Sequence, residues 1–119
     1  MSNVSYITHN GKKVLYIDYT KSKNIDDTLA VLDEVKAEFY KTSGVWLTIN
    51  DFRGGYGSTE YMKKASQYAR EHFNSRPSKN TAIGVTGLKK VLLQAYNTVV
   101  KDPVVPFDTL EEALNYLTK

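Results

Sequence analysis

The chain has 119 residues, no cysteine, 24% charged side chains and a formal net charge of +3. This length favours one domain with a substantial core, and the lack of cysteine excludes a disulfide scaffold and cysteine-ligated metal sites. The apolar content argues against a disordered chain, and no apolar run reaches the about 20 residues of a membrane span. We therefore expect residues 1–119 to form one globular domain.

The N-terminal segment predicts an antiparallel hairpin. Residues 4–8 and 13–19 are rich in β-branched, aliphatic and aromatic side chains, which favours strands. Between them stands Asn10-Gly11, the dipeptide that most strongly indicates a two-residue hairpin turn because both positions tolerate positive φ.

A helix is predicted next, from the period of the apolar residues. They recur every three or four positions between Ile25 and Phe39, which gives the helix one apolar face. Asn24 is suited to cap its start and Gly44 to end it. The nearly continuous apolar run over residues 45–50 then predicts a buried strand.

A glycine-rich loop and a second helix follow this strand. The loop covers residues 51–57, and either Ser58 or Thr59 is the expected start of the helix. Apolar side chains recur at helical spacing as far as Phe73, and Pro77 marks the end of the helix.

Residues 80–86 are typical of another buried strand, and Thr86 and Gly87 are placed to begin a third helix. That helix is expected to turn six apolar side chains inward: Leu88, Val91, Leu92, Ala95, Tyr96 and Val99. Asp102-Pro103 should break it.

The C-terminal residues predict a short strand and a last helix. Residues 104–107 form at most an edge strand, because Pro106 cannot donate to a ladder. Asp108 and Glu111 have the spacing of a capping box. The apolar side of the helix that follows is Leu110, Ala113, Leu114 and Leu117. A hairpin followed by alternating helices and strands predicts an α/β fold, with a mixed sheet of four to five strands and about four helices.

Four strings of the sequence carry a family resemblance: Asn10–Lys12, Leu47–Gly54, Ile83–Lys90 and Pro106–Ala113. They resemble the STAS-like group of anti-sigma-factor antagonists and sulphate-transporter domains, and in particular the small bacterial STAS/SEC14-like proteins. The resemblance covers nearly the whole chain. It implies a single STAS-like domain over residues 1–119 and a regulatory, protein-binding role in a bacterium.

The resemblance also implies a modification site. In the anti-sigma-factor antagonists, a partner kinase phosphorylates a serine at the start of the helix that follows the third strand. The similar place in this chain holds Ser58 and Thr59. The family's Asp-Ser-Ser-Gly pattern is missing, and a glycine-rich loop with Arg53 and Tyr56 stands there instead.

The SEC14-like side of the resemblance implies a lipid or another apolar ligand. Its pocket would be lined by Trp46, Tyr56 and Tyr61. The alternative is that these aromatic side chains only fill the core and its boundary.

Positive charge is concentrated in residues 52–101, which hold nine basic and two acidic side chains, a net of +7. In an open α/β sheet, ligands bind beyond the carboxyl ends of the strands, where helix N-termini favour anions. We therefore expect an acidic protein partner or a small anionic ligand to bind at Arg53, Tyr56, Ser58, Thr59, Thr86, Lys89 and Lys90. Alternatively, Ser58 and Thr86 only cap helices, and the basic residues form a solvated face.

No catalytic, metal or cofactor site is predicted. His9 and His72 lack a neighbouring ligand at metal-binding spacing, and Asp51 has no adjacent acidic residue. Met1–Ser5 does not resemble a secretory signal, so we expect a cytoplasmic location. The expected protein is a non-catalytic regulatory or ligand-binding module that does not bind nucleic acid. The sequence leaves homodimerisation open.

Overall fold

The computed structural model describes residues 3–119. Its elements are, in chain order, β1 (Val4–His9), β2 (Lys12–Asp18), α1 (Ile25–Lys41), β3 (Trp46–Asp51), α2 (Thr59–Glu71), a 3-10 turn (Phe73–Ser75), β4 (Ser78–Ile83), α3 (Leu88–Asn97), β5 (Val104–Phe107) and α4 (Leu110–Leu117). Met1 and Ser2, part of the segment searched for a secretory signal, lie outside the described residues.

The five strands of residues 3–119 form one sheet in the order β1-β2-β3-β4-β5. β1 is antiparallel to β2, and all the other neighbouring strands are parallel. Asn10 and Gly11 both have positive φ, and His9 pairs with Lys12, as a two-residue hairpin turn requires. The predicted α/β class, mixed sheet and opening hairpin are confirmed.

Helices cover both faces of this sheet. Right-handed connections between successive parallel neighbours place α1, α2 and α3 on one face, where the core includes Leu15, Ile17 and Trp46. On the opposite face α4 packs against Val14 and Ile49. Because side chains alternate along a strand, the adjacent Val14 and Leu15 belong to different cores.

Helix α1 starts as predicted and ends earlier. The Asn24 side chain accepts a hydrogen bond from the Asp27 backbone N–H, which confirms the cap. The helix stops at Lys41, so Gly44, with φ of +85°, lies in the turn that leads into β3 and does not end the helix. Val45 belongs to that turn as well and is 60% exposed, so its predicted place in the buried strand is wrong.

The start of α3 also differs from the prediction. β4 ends at Ile83, because Gly84 has φ of +76° and turns the chain out of the sheet. Gly87 occupies the N-cap position, and no side chain caps the helix. Thr86 is therefore not the helix cap that the sequence offered as an alternative.

The inward side of α3 was predicted wrongly at two positions. Leu88 and Val91 are 59% and 60% exposed. Leu92 and Tyr96 face the core layer as predicted, and Lys89 joins them, at the three- and four-residue spacing of one helix face. The strand that follows α3 is an edge strand of only four residues. One side of the helix therefore packs on the core, and the other side has no neighbouring element within residues 3–119 to cover it.

The last helix is capped one residue later than the spacing predicted. Thr109 and Glu112 form the capping box: the Thr109 hydroxyl accepts from the Glu112 N–H, and the Glu112 carboxylate accepts from the Thr109 N–H. Asp108 and Glu111 do not form it. Ala113, Leu114 and Leu117 are buried as predicted, and Leu110 is half-buried.

The two cap assignments can be separated by substitution. Thr109→Ala should lower the free energy of unfolding by about 1 kcal/mol, because it removes the acceptor for an N-terminal N–H. Asp108→Ala should change it by less than half as much. Urea denaturation at pH 7 measures both, and an equal loss in Asp108→Ala would contradict the assignment of Thr109 as the cap.

Candidate functional site

An apolar cavity of about 90 Å³ lies between the sheet and the helices. Strands β2 and β3, helices α1, α2 and α3, and the loop after β3 all contribute to its wall. Representative lining side chains are Ile17, Leu32, Val35, Ala65, Leu92 and Leu93. Because most of the lining is aliphatic or aromatic, the space suits an apolar group better than water, which needs polar partners.

A cluster of aromatic rings forms one side of the cavity. Tyr19 stacks on Phe52 with ring centroids 4.6 Å apart, and Tyr61 meets Tyr19 edge-on at 5.3 Å. The Tyr61 hydroxyl donates to the Tyr19 hydroxyl at 2.9 Å. Burial raises the pKa of Tyr61 to about 12, although the hydrogen bond to Tyr19 lowers it, so the phenol stays neutral. These hydroxyls satisfy each other and leave the wall uncharged.

Trp46, the only tryptophan of the chain, also lines the cavity. It is 6% exposed, and the rings of Phe39 and Phe73 pack against it. Its indole Nε1–H donates to no acceptor in residues 3–119. A buried donor without a partner costs about 1–3 kcal/mol, so the packing of the indole ring has to offset this loss.

Lys89 lines the cavity from the first turn of α3. Its ammonium Nζ donates to the Phe52 carbonyl oxygen at 2.7 Å, and burial lowers its pKa. A Cβ atom on Gly57 would approach the Lys89 Cγ to 3.0 Å. The part of the cavity between Phe52, Gly57 and Lys89 is called the Lys89 end below.

The carboxyl end of β3 carries a buried ion pair. The Asp51 side chain is fully buried, and it accepts from Arg53 Nε at 3.0 Å, from Arg53 Nη2 at 2.8 Å and from the Tyr16 hydroxyl at 2.5 Å. Burial alone raises the pKa of Asp51, but the hydrogen bonds from Arg53 and Tyr16 outweigh it and lower the pKa. The Arg53 charge is therefore committed to Asp51.

The backbone beside this ion pair is closely packed. Gly84, with φ of +76°, lies so near the loop that a Cβ there would be 2.5 Å from the Arg53 backbone nitrogen. Any other residue at this position would meet both a strained φ and a clash with backbone. The position of the ion pair and the position of the turn after β4 therefore depend on each other.

A shallow groove lies at the carboxyl ends of β4 and β5. Of the seven predicted ligand-binding residues, Arg53, Thr86 and Lys90 line it. Asp108 also lines this groove, so its charge is not uniformly positive. We call it the Arg53 groove. Lys89 is separate from it, because its side chain belongs to the cavity.

The other three predicted residues lie outside both features. The Ser58 hydroxyl accepts from the Tyr61 backbone N–H at 3.1 Å and caps α2, and Thr59 is the exposed first residue of that helix. Tyr56 is 39% exposed and does not line the cavity. The resemblance implied a pocket lined by three aromatic residues. Trp46 and Tyr61 do line the cavity, and Tyr56 does not.

Two features of this region were not predicted from the sequence. The Asp51–Arg53 pair could have been suspected, because an acid and a base two residues apart at a strand end can meet in a tight turn. The inward Lys89 had a weaker signal: its spacing to Leu92 and Tyr96 matches a helix face, but a lysine is not normally counted as apolar.

No protein-family model, curated protein or solved structure matches this chain. Within residues 3–119, no helix has the length and apolar character to cross a membrane. In the same residues, no three His, Asp or Glu side chains are grouped so that they could hold a metal ion. Function must therefore be inferred from the geometry of the cavity and its surroundings.

The ion pair predicts how stability depends on pH. The folded-state pKa of Asp51 lies below its unfolded value of about 4. Its stabilising effect is therefore complete above the unfolded pKa and is lost as the pH falls through the folded pKa. Asp51→Asn should lower the free energy of unfolding by about 2 kcal/mol at pH 7, since Arg53 is half exposed and partly screened.

This loss should shrink as the pH falls towards 3. Urea denaturation of the wild type and Asp51→Asn at several pH values measures the difference. Asp108→Asn, at an exposed carboxylate, is the matched control and should have little effect throughout. A difference for Asp51→Asn that stays constant with pH would show that its carboxylate charge does not stabilise the fold.

Proposed function

We propose that this chain is a small non-catalytic binding module, and that its ligand places an apolar group in the cavity between the sheet and helices α2 and α3. The observation that carries the proposal is the cavity itself, with its mostly aliphatic and aromatic wall. The strand order and opening hairpin are compatible with a STAS-like fold, and a STAS/SEC14-like affiliation is part of the proposal.

The energetics favour an occupant. An unfilled cavity of 90 Å³ costs about 2 kcal/mol at roughly 24 cal/mol per Å³. An apolar group that enters it recovers this free energy and also gains about 0.8 kcal/mol for each CH₂ removed from water. The rigid rings of Tyr19, Phe52 and Tyr61 brace one wall, which opposes collapse of the empty space.

The size of the cavity points to a small or slender ligand. A volume of 90 Å³ is less than the roughly 150 Å³ of an engineered cavity that binds benzene. A short unbranched chain fits this limit better than a whole lipid does.

Binding can be followed by Trp46 fluorescence with 1-hexanol as the probe. The wild type should show a saturable change, because the only tryptophan lines the cavity. Ala65→Leu, which adds a bulky side chain to the cavity wall, should abolish it. Ala30→Leu makes the same change at an exposed position of α1 and should leave it intact. Urea denaturation verifies that both variants are folded.

A response that is absent or non-saturable in the wild type would refute the proposal. So would an equal saturable response in Ala65→Leu, because the alcohol would then be binding elsewhere.

The Arg53 groove supports a second candidate, the binding of a small anion or an acidic protein surface. Arg53 is 54% exposed and Lys90 is also exposed in this groove, at strand ends where ligands of open sheets bind. Arg53 is a poor place to test it, because its loss would also leave the buried Asp51 unpaired. Phosphorylation at Ser58 or Thr59 stays a prediction.

Lys90 allows a cleaner test of this second candidate. Inorganic phosphate should raise the Tm of the wild type, and Lys90→Glu should abolish most of that rise by reversing a charge in the groove. Lys101→Glu makes the same change at an exposed position outside the groove and should keep the rise. Thermal unfolding with and without phosphate measures the change in Tm. Equal changes in the two variants would exclude the groove as an anion site.

A further inference from the structure

We infer that the ligand of the cavity carries a carboxylate head group, which pairs with the Lys89 ammonium at the Lys89 end while the apolar body lies between the sheet and the helices. This inference rests on the proposed function. It adds the chemical class of the ligand and its orientation.

The position of Lys89 is the first support. Lys89, Leu92 and Tyr96 form the side of α3 that lines the cavity, so the aliphatic stem of the lysine is part of the apolar wall. Long basic side chains commonly bury their stems in this way and keep the charged end at the boundary. The ammonium therefore stands where a ligand would pass from the apolar space to solvent.

The second support is that this charge is not neutralised. Lys89 makes no ion pair with any of residues 3–119, and its one hydrogen bond goes to the neutral Phe52 carbonyl. Asp51, one residue before Phe52, is already paired with Arg53. An ammonium has three donors, so Lys89 keeps two for a ligand. Burial lowers the pKa of Lys89, and a carboxylate beside it would oppose that shift.

The backbone around Lys89 favours the same sign of charge. Lys89 lies in the first turn of α3, and no side chain caps that helix. The N-terminal end of a helix carries a partial positive charge. This field adds to that of the ammonium, so both favour an anion at the Lys89 end.

The order of the lining residues along β3 indicates the ligand's orientation. Its wall runs from Phe52, after the carboxyl end of β3, to Trp46 at the start of that strand. Six residue steps at ~3.3 Å each separate them by roughly 20 Å. Lys89 lies at the Phe52 end of this wall, and Trp46 lies at the opposite end. A slender chain with its head at Lys89 would extend towards Trp46.

The experiment compares hexanoate with 1-hexanol, which have six-carbon chains and differ in charge. Trp46 fluorescence titrations should give wild-type binding about tenfold tighter for hexanoate, equivalent to about 1.4 kcal/mol. Lys89→Met keeps an unbranched apolar stem and removes the charge, so it should bind 1-hexanol and lose the preference. Lys89→Arg should retain part of it. Lys63→Met, at an exposed position of α2, is the control and should bind like the wild type.

The outcomes separate the inference from the proposed function. If neither compound binds the wild type, the proposed function fails and the inference fails with it. If both bind the wild type equally, or if Lys89→Met keeps the preference for hexanoate, the cavity is a binding site but the carboxylate assignment is wrong. If Lys89→Met does not fold, the comparison of hexanoate with 1-hexanol on the wild type still tests the carboxylate assignment.

Discussion

The buried carboxylate of Asp51 is the constraint on which the region around the cavity depends. A charge without solvent is costly unless charged and hydrogen-bonding partners surround it, and Asp51 obtains them from Arg53 and Tyr16. Because Arg53 is only two residues away, satisfying the carboxylate forces the chain to turn immediately after β3. The glycine at position 84 then lets the neighbouring turn approach the same backbone.

That turn determines how the Lys89 end is built. Phe52 lies between the two members of the ion pair, so its ring is directed onto Tyr19 and its carbonyl becomes the acceptor for Lys89. Gly57 leaves room for the lysine stem. The contacts thus run from a buried charge to an aromatic wall and then to a basic side chain, and a local change at Asp51 should alter all of them.

The sequence allowed the fold to be predicted where local signals and packing agree. The hairpin at Asn10-Gly11 and the cap at Asn24 are local, and the structure has both. The inward face of α3 was predicted correctly at Leu92 and Tyr96 and wrongly at Leu88 and Val91, because this helix meets the core on a narrow side where a lysine stem replaces an aliphatic residue. The cavity was suggested only through a resemblance, since an empty space depends on how distant elements fit and leaves no periodic signal.

Some of the basic side chains in residues 52–101 have partners within the fold. Arg53 is bound to Asp51, and Arg76 donates to the backbone carbonyls of Phe39 and Gly44, so both charges help to hold the fold. A net charge of +7 along the sequence therefore overstates the charge available to a partner. Lys89 differs from these arginines because it is partly buried beside an apolar cavity and has no anionic partner in residues 3–119. The position of Lys89 therefore indicates the charge of the ligand more directly than the net charge of residues 52–101 does.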